Sequence, residues 1–203
     1  MTFSKRLMDI CLALFFIVLL SPLILYVAFR ILIADGRPIL YRSERMKTPD
    51  QAFMLWKFRT MTTAAEDSGV SGGDKSSRIT PLGARLRHYR ADEMPQLLNI
   101  LRGDISFVGP RPPLRRYVEL CPELYAEVLK CRPGVTGLAS LIFHKTEERL
   151  LAACHTAQDT EAVYLRRCVP VKAKLDLIYA RNQSACYDGY LIWRTITRVL
   201  KRA

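Results

Sequence analysis

The sequence lacks any closely spaced pair of cysteines. Its six cysteines are scattered along 203 residues, and no C-x-x-C pair occurs among them. Zinc ribbons and small secreted domains held together by disulfides need such tight spacings, so the sequence disfavours both classes. Scattered thiols of this kind are typical of a protein from a reducing compartment.

The common nucleotide and metal signatures are also missing. There is no G-x-G-x-x-G, no P-loop and no H-E-x-x-H, and the three histidines have no ligand-like spacing. Only one or two pairs of short strands are indicated, so an open nucleotide-binding sheet is not supported. The pattern instead predicts an α+β chain that is mostly helical.

Acidic residues are scarce relative to basic ones. Lys and Arg number 31 against 19 Asp and Glu, which gives a formal net charge of +12. Such an excess predicts an anionic partner: nucleic acid, acidic lipid or a phosphate-bearing substrate. Half of the residues are apolar, and a chain of this length forms a real core, as one domain with room for an appendage.

One long apolar run bears on where the chain is located. Residues 10–29 form a stretch of 20 residues without a charge, about the length of helix that crosses a bilayer core. A cleaved signal peptide is disfavoured, because no small-x-small cleavage site follows and the run is longer than the usual apolar region. Two interpretations remain: a spanning helix, and a segment that enters the membrane, bends and returns.

A Ser-Pro pair in the middle of this run favours a bend. Pro22, preceded by Ser21, removes a backbone donor and clashes with the preceding turn, so a kink is expected. Basic residues flank both ends of the run, and the positive-inside rule places such flanks on the cytoplasmic face. Proline is also tolerated in spanning helices, so the residues alone leave a hairpin and a kinked spanning helix equally open.

After the apolar run the composition becomes that of a soluble domain. Residues 39–42 and 53–59 are predicted as the strands of a hairpin, 63–77 as a mobile loop and 133–137 as a turn. Helices are predicted over residues 82–89, 93–101, 114–130, 146–153, 158–181 and 187–200. Pro122 is a candidate interruption of the third of these helices. The last helix suits the membrane interface and equally a core position with basic exposed residues.

Two adjacent carboxylates, Asp92 and Glu93, are the first candidates for chemistry. One member of such a pair attacks as a nucleophile while the other handles protons or orients a metal. The pair begins a predicted helix, whose N-terminus stabilises negative charge, including that of phosphate. An ordinary helix cap explains the same residues, and the pair alone does not decide between the two.

Basic residues next to rigid loops are the second candidates. Arg111 lies between two prolines, and a guanidinium on such a loop is a good bidentate ligand for phosphate. Arg87 precedes the acidic pair, while Lys57 and Arg59 alternate on a predicted strand and so share one face. A solvated basic surface, or charge that protects a strand edge, accounts for the same residues.

Taken together and in order, these segments resemble the bacterial sugar transferase family, the monotopic phosphoglycosyl transferases, in its small subgroup with the catalytic domain alone. The resemblance covers nearly the whole chain and begins with residues 5–9 (KRLMD), followed by the apolar run and its Ser-Pro pair. The further segments, each weak alone and specific in this order, are 36–41 (GRPILY), 57–61 (KFRTM), 78–83 (RITPLG), 92–97 (DEMPQL), 103–112 (GDISFVGPRP) and 132–137 (RPGVTG).

The resemblance implies a reaction. Such enzymes move a phosphosugar from a UDP-sugar to a polyprenol phosphate such as undecaprenyl phosphate and release UMP, as the first membrane step of glycoconjugate biosynthesis. By this resemblance Asp92 is the nucleophile that forms a covalent phosphosugar intermediate and Glu93 is its acid/base partner. Mg²⁺ would bind beside Asp92 and neutralise the diphosphate. Nucleic acid is not expected as a partner, and a homo-oligomer stays open.

The family also implies an architecture and a location. Residues 1–35 would form a re-entrant membrane helix-break-helix with its break at Ser21 and Pro22. Residues 36–203 would form a catalytic domain with interfacial amphipathic helices and a short β-hairpin. The protein would then be monotopic, on the cytoplasmic face of a bacterial inner membrane.

Six residues are expected to contact substrate on the strength of the resemblance: Lys57, Arg59, Arg87, Arg111, His144 and Asp176. Asp176 matches a late acidic position of the family and is the weaker transfer. The chain departs from the family after residue 137, where an arginine of the family falls on His144. Either His144 or Lys145 supplies this charge, or the phosphate site is built differently.

Two rival functions are weighed against the transferase. A membrane-tethered basic module that binds acidic lipid or nucleic acid explains the charge and the apolar run. It does not explain a carboxylate pair flanked by arginines and rigid loops. An aspartate-based phosphohydrolase keeps the chemistry and passes the intermediate to water. The sequence does not indicate which sugar or which glycan pathway is involved.

Overall fold

Within the residues that the structure describes, the chain forms one long helix and a mostly helical body with two small sheets. The computed structural model describes residues 2–62 and 73–201, so most of the loop expected at 63–77 lies outside the described residues. The helices are α1 (Phe3–Ala34), α2 (Pro81–His88), α3 (Gln96–Arg102), α4 (Arg115–Leu120), α5 (Pro122–Val128), α6 (Leu138–Ala152), α7 (Ala157–Val163), α8 (Val169–Arg181) and α9 (Ala185–Leu200). The strands are β1 (Leu40–Met46), β2 (Ala52–Phe58), β3 (Ser106–Val108) and β4 (Gly134–Thr136). Turns of 3₁₀ helix cover Gly73–Arg78 and Ala91–Glu93, and a π-helical turn covers Tyr164–Cys168.

Helix α1 contains the predicted apolar run and extends beyond it at both ends. It has 32 residues, which corresponds to roughly 48 Å, and it is long and apolar enough to cross a membrane. The hydroxyl of Thr2 caps its start by accepting from the Lys5 amide. The expectation of an apolar N-terminal helix is confirmed.

The Ser-Pro pair lies within α1 without ending it. Because Pro22 has no N–H, the carbonyl of Val18, four residues earlier, loses its helical donor. The Ser21 hydroxyl donates to this same carbonyl at 2.8 Å and replaces the missing bond. The helix-break-helix implied by the resemblance is not confirmed, since the chain is helical before, at and after the pair.

Both ends of α1 pack against the body. Towards its start, Ala13 is buried in a cluster with Ile100 of α3, and towards its end Ile31 is buried in a cluster with Phe58 of β2. The apolar side chains exposed along the helix between these contacts include Leu14, Phe15, Val18, Leu19, Leu23, Leu25 and Tyr26. Such a continuous exposed apolar surface is typical of a segment that contacts lipid.

A buried ion pair joins the first helix to the last. The Lys5 ammonium pairs with the Asp188 carboxylate of α9 and also donates to the carbonyl of Val108 at 3.1 Å. Lys5 is 5% exposed and Asp188 is 1% exposed. A charge at such depth needs a partner of opposite sign, so this contact fixes the start of α1 against the C-terminal helices.

The predicted β-hairpin is present. Strands β1 and β2 pair antiparallel with Leu40 opposite Phe58. Helix α3 covers the second strand, because the buried Asn99 side chain accepts from the Trp56 amide at 3.0 Å and donates to the Met54 carbonyl at 2.9 Å. These bonds satisfy backbone groups that would otherwise be unpaired at a strand edge.

A second sheet, which the sequence did not predict, replaces the turn expected at residues 133–137. Strands β3 and β4 pair in parallel, with Ser106 opposite Gly134. The two strands approach so closely that a Cβ on Gly134 would lie 2.2 Å from the Gly109 amide nitrogen. The register therefore requires glycine at this point.

Several predicted helices have different boundaries in the structure. The helix expected over 114–130 is interrupted as considered: Cys121 leaves the helical conformation and α5 begins at Pro122. The helix expected at 146–153 begins earlier, as α6, and the one expected at 158–181 contains the π-helical turn. The helix expected from Glu93 begins at Gln96, after a 3₁₀ turn.

Candidate active site

A cavity of about 1210 Å³ is bounded by the hairpin, the turn that carries the acidic pair and helices α5, α6 and α8. The candidate residues from the sequence all contribute to its wall: Lys57, Arg59, Arg87, Asp92, Glu93, Arg111, His144 and Asp176. Residues that are up to 119 positions apart in the sequence, from 57 to 176, are thus brought to one place.

An unusual backbone conformation places the acidic pair in this wall. Arg90 adopts the left-handed region, with φ 56° and ψ 23°, directly before the 3₁₀ turn that contains Asp92 and Glu93. A residue with a Cβ is held there at a cost of about 1–2 kcal/mol. The turn leaves Asp92 only 8% and Glu93 only 9% exposed, so both carboxylates lie in a largely desolvated site.

The second sheet positions the loop that carries Arg111. The Gly109 amide donates to the Thr136 carbonyl at 2.9 Å, and the Gly134 amide donates to the Pro110 carbonyl at 2.8 Å. These bonds extend the pairing of β3 and β4 into the proline-rich loop. The Arg111 guanidinium is thereby held at 2.9 Å from Glu93 Oε1.

Glu93 is surrounded by positive charge. Besides Arg111, the Lys57 ammonium lies 3.2 Å from its carboxylate and the Arg90 guanidinium 3.3 Å. Burial alone would raise the pKa of Glu93, but Arg111, Lys57 and Arg90 together outweigh burial and hold the pKa well below its usual range. Glu93 is therefore ionised and holds three cations at the cavity wall.

The pKa of Asp92 is shifted in the opposite direction from that of Glu93. It forms no hydrogen bond or ion pair with the part of the chain that the structure describes. Burial raises the pKa of Asp92, and the charge of Glu93 adds to this effect, against the attraction of Lys57, Arg87 and Arg90. The two neighbouring carboxyls thus differ in environment, which is the arrangement that separates their chemical roles.

Arg59 and Arg87 have more local contacts. Strand β2 ends at Phe58, and the Arg59 guanidinium donates to the carbonyls of Asp35 and Gly36 at the end of α1, at 2.5 and 2.9 Å. Arg87 Nε donates to the Thr60 hydroxyl at 2.9 Å. The Arg59 guanidinium thus forms hydrogen bonds with backbone carbonyls. Arg87, in contrast, lies close enough to Asp92 to lower the pKa of the Asp92 carboxyl.

The two candidates for the charge expected near position 144 lie in different surroundings. His144 lines the cavity, and its Nε2 lies 3.4 Å from Glu148 of the same helix. Lys145 is exposed and does not line the cavity. Arg90 lies beside His144, since both line a small adjoining pocket.

Asp176 lies in the part of the wall that α8 provides. It is 6% exposed, and burial raises its pKa to about 7. Lys172, one helical turn earlier, pairs instead with Glu147 of α6 at 2.7 Å. The carboxyl is therefore close to a charged pair without being part of it.

Sequence reasoning missed three residues of this site. Arg90 was visible beside the acidic pair, but its role depends on a left-handed backbone that the sequence does not announce. Lys172 could have been found from its spacing of four residues to Asp176 on a predicted helix. Glu147 carried no signal, because its position in the wall depends on how α6 packs on α8.

The whole sequence matches a known family. The model of the family described as bacterial sugar transferase matches residues 1–202. The chain belongs to the bacterial sugar transferase family. The resemblance stated from the ordered segments is thus confirmed, and the acidic pair and the arginine loop lie within the matched region.

Named relatives within this family show how far the similarity extends. The exopolysaccharide production protein PSS of Rhizobium leguminosarum bv. phaseoli is 40% identical, over 98% of this chain and 96% of its own length. The UDP-glucose:undecaprenyl-phosphate glucose-1-phosphate transferase of Caulobacter vibrioides is 38% identical, over 97% of this chain and 69% of its own.

A third relative is much longer than this chain. The UDP-N-acetylgalactosamine-undecaprenyl-phosphate N-acetylgalactosaminephosphotransferase of Aeromonas hydrophila is 31% identical over 98% of this chain, which spans 44% of that relative. Two of these three bacterial sugar transferases are thus named for different sugars, so their names do not indicate one sugar for this chain.

Proposed function

We propose that this chain is a phosphoglycosyl transferase. It transfers a sugar phosphate from a UDP-sugar to undecaprenyl phosphate and releases UMP. The observation that carries the proposal is a buried carboxylate, Asp92, without a hydrogen-bond partner in the described part of the chain, in a cavity beside Lys57, Arg90 and Arg111. Two of the relatives above carry names of this activity, which supports the proposal.

The proposed reaction has two displacements at one phosphorus. In the first, an Asp92 oxygen attacks the β-phosphorus of the UDP-sugar, the bond to the bridging oxygen breaks, and UMP leaves with the electron pair. In the second, a phosphate oxygen of the polyprenol phosphate attacks the same phosphorus, and the Asp92 carboxylate leaves. Each step exchanges one P–O bond for another, and an ionised Asp92 needs no base to activate it.

The cations on Glu93 prepare the site for these phosphates. Glu93 is the acid/base partner by family resemblance, and its ion pairs give it a further task. They keep Lys57, Arg90 and Arg111 at fixed positions before substrate binds. Donors arranged in advance around developing phosphate charge stabilise the transition state without reorganisation.

Arg90 supplies the charge that the family pattern places at position 144. It lies beside His144 and already contacts Glu93. The phosphate site is then built differently from the family pattern, with a guanidinium from the residue that precedes the 3₁₀ turn of the acidic pair in place of one from α6. His144 and Glu148 remain next to it as a polar wall.

Mg²⁺ also belongs to the proposal. This ion binds one or two carboxylates together with substrate phosphates. Asp92 fits this pattern, because no cation among the described residues forms a hydrogen bond or ion pair with its carboxylate. Glu93 fits less well, because three cations surround it. When bound, Mg²⁺ neutralises charge on the diphosphate.

The packing of α1 supports a monotopic placement. A spanning helix has its two ends on opposite sides of a hydrocarbon core about 30 Å thick. Here Ala13 and Ile31, towards opposite ends of α1, pack against the same body. We therefore infer a segment that re-enters the membrane, bent at Ser21 and Pro22 within the continuous helix, with residues 36–203 on the cytoplasmic face.

The test is UMP release in detergent across a panel of UDP-sugars, with and without undecaprenyl phosphate. The wild type is expected to release UMP repeatedly from one or more donors only when the acceptor is present, and no more than one equivalent per enzyme without it. Asp92→Asn is expected to release none. Asp159→Asn, on the exposed first turn of α7, is the matched control and is expected to be active.

Other outcomes favour the rivals. Repeated UMP release without acceptor indicates a phosphohydrolase. No release from any donor, together with binding to anionic vesicles that high salt abolishes, indicates a tethered basic module. Full activity of Asp92→Asn would contradict the assignment of the nucleophile.

A further inference from the structure

One cation of the cavity wall has no anionic partner. Arg45, near the end of β1, lines the cavity and is half-buried. Among the residues that the structure describes, its guanidinium forms no hydrogen bond and no ion pair. Its nitrogens are not among the fully buried, unpartnered atoms of the described chain, so they remain accessible to a ligand in the cavity.

The acidic side chains of the cavity wall have other partners or lie elsewhere. They are Glu44, Asp92, Glu93, Glu147, Glu148 and Asp176. Glu44 is adjacent to Arg45 in sequence but lies on the other face of the strand, where it pairs with Arg115 at 2.8 Å. Glu147 pairs with Lys172 at 2.7 Å. A half-buried charge without a counterion costs free energy, so Arg45 is prepared for an anion that comes from outside the chain.

The backbone fixes Arg45 beside the loop that carries Arg111. The Met46 amide donates to the Pro113 carbonyl at 2.9 Å, which joins the end of β1 to the proline-rich loop. Burial lowers the pKa of Arg45 to about 10, and the nearby charge of Arg111 adds to this effect. Two guanidinium groups thus lie near each other, and a carboxylate, that of Glu93, binds only Arg111.

Aromatic side chains surround the Arg45 guanidinium. Tyr41 precedes it by four residues on the same face of β1, and Tyr117 and Tyr164 form a ring pair with centroids 4.7 Å apart. All three line the cavity, and all three lie close enough to act on the pKa of Arg45. Because rings exclude water from this part of the wall, attraction between the guanidinium and an anion is stronger there than in bulk solvent.

The proposed reaction brings two phosphates to one position in turn. In each displacement the entering and leaving oxygens lie roughly in line through the phosphorus. Asp92 enters in the first displacement and leaves in the second. The phosphate of UMP therefore departs from the position opposite Asp92, and the phosphate of the acceptor enters at the same position. A residue that serves this position must bind a phosphate and then exchange it for another.

We infer that Arg45 binds the phosphate opposite Asp92, first that of the departing UMP and then that of the polyprenol phosphate. This inference rests on the proposed function. The planar guanidinium offers two parallel N–H groups to phosphate oxygens. Because no carboxylate of the described chain binds Arg45, an incoming phosphate displaces no ion pair. The cations on Glu93 are left for the phosphoryl group that stays on Asp92.

The test compares Arg45→Gln and Arg45→Lys with the wild type, in the full chain with Mg²⁺. Glutamine removes the charge, whereas lysine keeps it and loses the planar fork. We expect Arg45→Gln to raise both the KM for undecaprenyl phosphate and the inhibition constant of UMP by about tenfold or more. Arg45→Lys should recover part of each loss. Arg167→Gln, at an exposed arginine of the π-helical turn, is the matched control and should change neither constant.

The two phosphates are measured separately, so each can contradict the inference. A rise in one constant alone overturns the shared position, and unchanged values for both overturn phosphate binding by Arg45. Uridine lacks the phosphate and is the control ligand. Its inhibition constant should be the same for Arg45→Gln and the wild type, and a rise as large as that for UMP would show damage to the nucleoside site instead.

Thermal stability separates a binding role from a structural one. Since an unpaired, half-buried charge destabilises the protein without ligand, Arg45→Gln should have a Tm equal to or above that of the wild type. Saturating UMP should then raise the Tm of the wild type more than that of Arg45→Gln. A Tm lowered enough to account for the lost activity would make Arg45 a structural residue and overturn the inference.

A binding measurement keeps this inference distinct from the proposed function. Titration calorimetry with UMP in detergent compares Asp92→Asn with the double variant Asp92→Asn/Arg45→Gln, neither of which is expected to turn over. Weaker binding by the double variant supports the role of Arg45. Equal binding refutes that role, while a wild type that releases UMP keeps the transferase. A wild type that neither turns over nor binds UMP refutes both.

Discussion

At the scale of single residues, the site separates two adjacent carboxyls by what surrounds each. Glu93 is neutralised by Lys57, Arg90 and Arg111, whereas Asp92 forms no such bond within the described residues. The adjacency was readable from the sequence, and so was the presence of arginines nearby. Which carboxyl would be paired was not, because the pairing depends on a left-handed Arg90 and on a loop fixed by the second sheet.

The role of Arg90 gives a prediction at this scale. Arg90→Gln removes a charge beside the proposed phosphate site, and we expect kcat/KM to fall by about 10- to 100-fold, as for the loss of a charge-assisted hydrogen bond. Arg149→Gln changes an exposed arginine of α6 and should leave kcat/KM unchanged. UMP release measures both. If the Arg90 variant is as active as the Arg149 variant, Arg90 does not supply the phosphate-binding charge, and His144 becomes the candidate for it.

Asp176 gives a prediction for stability against pH. Its pKa of about 7 in the folded chain lies above the ordinary value of 3.8, so the folded state keeps a proton that the unfolded state has lost. Stability contributed by this group is therefore present at acidic pH and is lost as the pH rises from about 4 to about 7. Asp176→Asn removes this dependence. Thermal unfolding at pH 5 and pH 8 should show Asp176→Asn gaining Tm relative to wild type at the higher pH, and an equal Tm difference at both would contradict the expectation.

At the scale of secondary structure, local sequence patterns predicted correctly those elements that are long or are bounded by turn residues or proline. The hairpin, the apolar helix and the interruption at Pro122 all follow from patterns within a few residues. The pair β3 and β4 could not be found this way, since each strand has three residues and their partners are 28 positions apart, as with Ser106 and Gly134. Pairing of that kind depends on tertiary packing and leaves little periodicity.

Two glycines in helices allow a matched test of close packing. A Cβ on Gly83 of α2 would lie 2.1 Å from the Thr60 carbonyl oxygen, whereas one on Gly189 of α9 would meet nothing within 4 Å. We expect Gly83→Ala to lower Tm by about 3–10 °C, because backbone must move. Gly189→Ala should raise Tm by about 1–4 °C through helix propensity. Thermal unfolding in the same detergent measures both, and equal shifts would show that α2 does not pack on Thr60 as described.

At the scale of the whole molecule, the long helix and the body form one unit. The helix packs on the body near both of its ends and exposes apolar side chains between them. The proposed membrane placement thus follows from tertiary contacts rather than from hydropathy, which leaves a hairpin and a spanning helix equally open. The contacts that decide it join α1 to residues distant in the sequence, such as Ile100 and Phe58.

The sidedness of this unit is measurable by thiol labelling. In a variant without its native cysteines, single cysteines are introduced by Ser4→Cys, at an exposed position in the first turn of α1, and by Arg37→Cys, at an exposed position three residues after its end. Native Cys186 is kept alone in a third variant as the reference for the body. An impermeant maleimide should modify all three in inverted membrane vesicles and none in right-side-out vesicles. Labelling of Ser4→Cys and Arg37→Cys from opposite sides would establish a spanning helix. Full labelling after detergent treatment is the control for reactivity.

The buried pair of Lys5 and Asp188 has a consequence for biosynthesis. Its partners are 183 residues apart, and at ribosomal speeds of about 5–20 residues per second the second arrives roughly 10 to 40 s after the first. During that interval the apolar helix has already emerged, while the groove that receives its start does not yet exist. In the nascent chain this helix must therefore first contact lipid or a chaperone. The ion pair between Lys5 and Asp188 forms only after α9 has been synthesised.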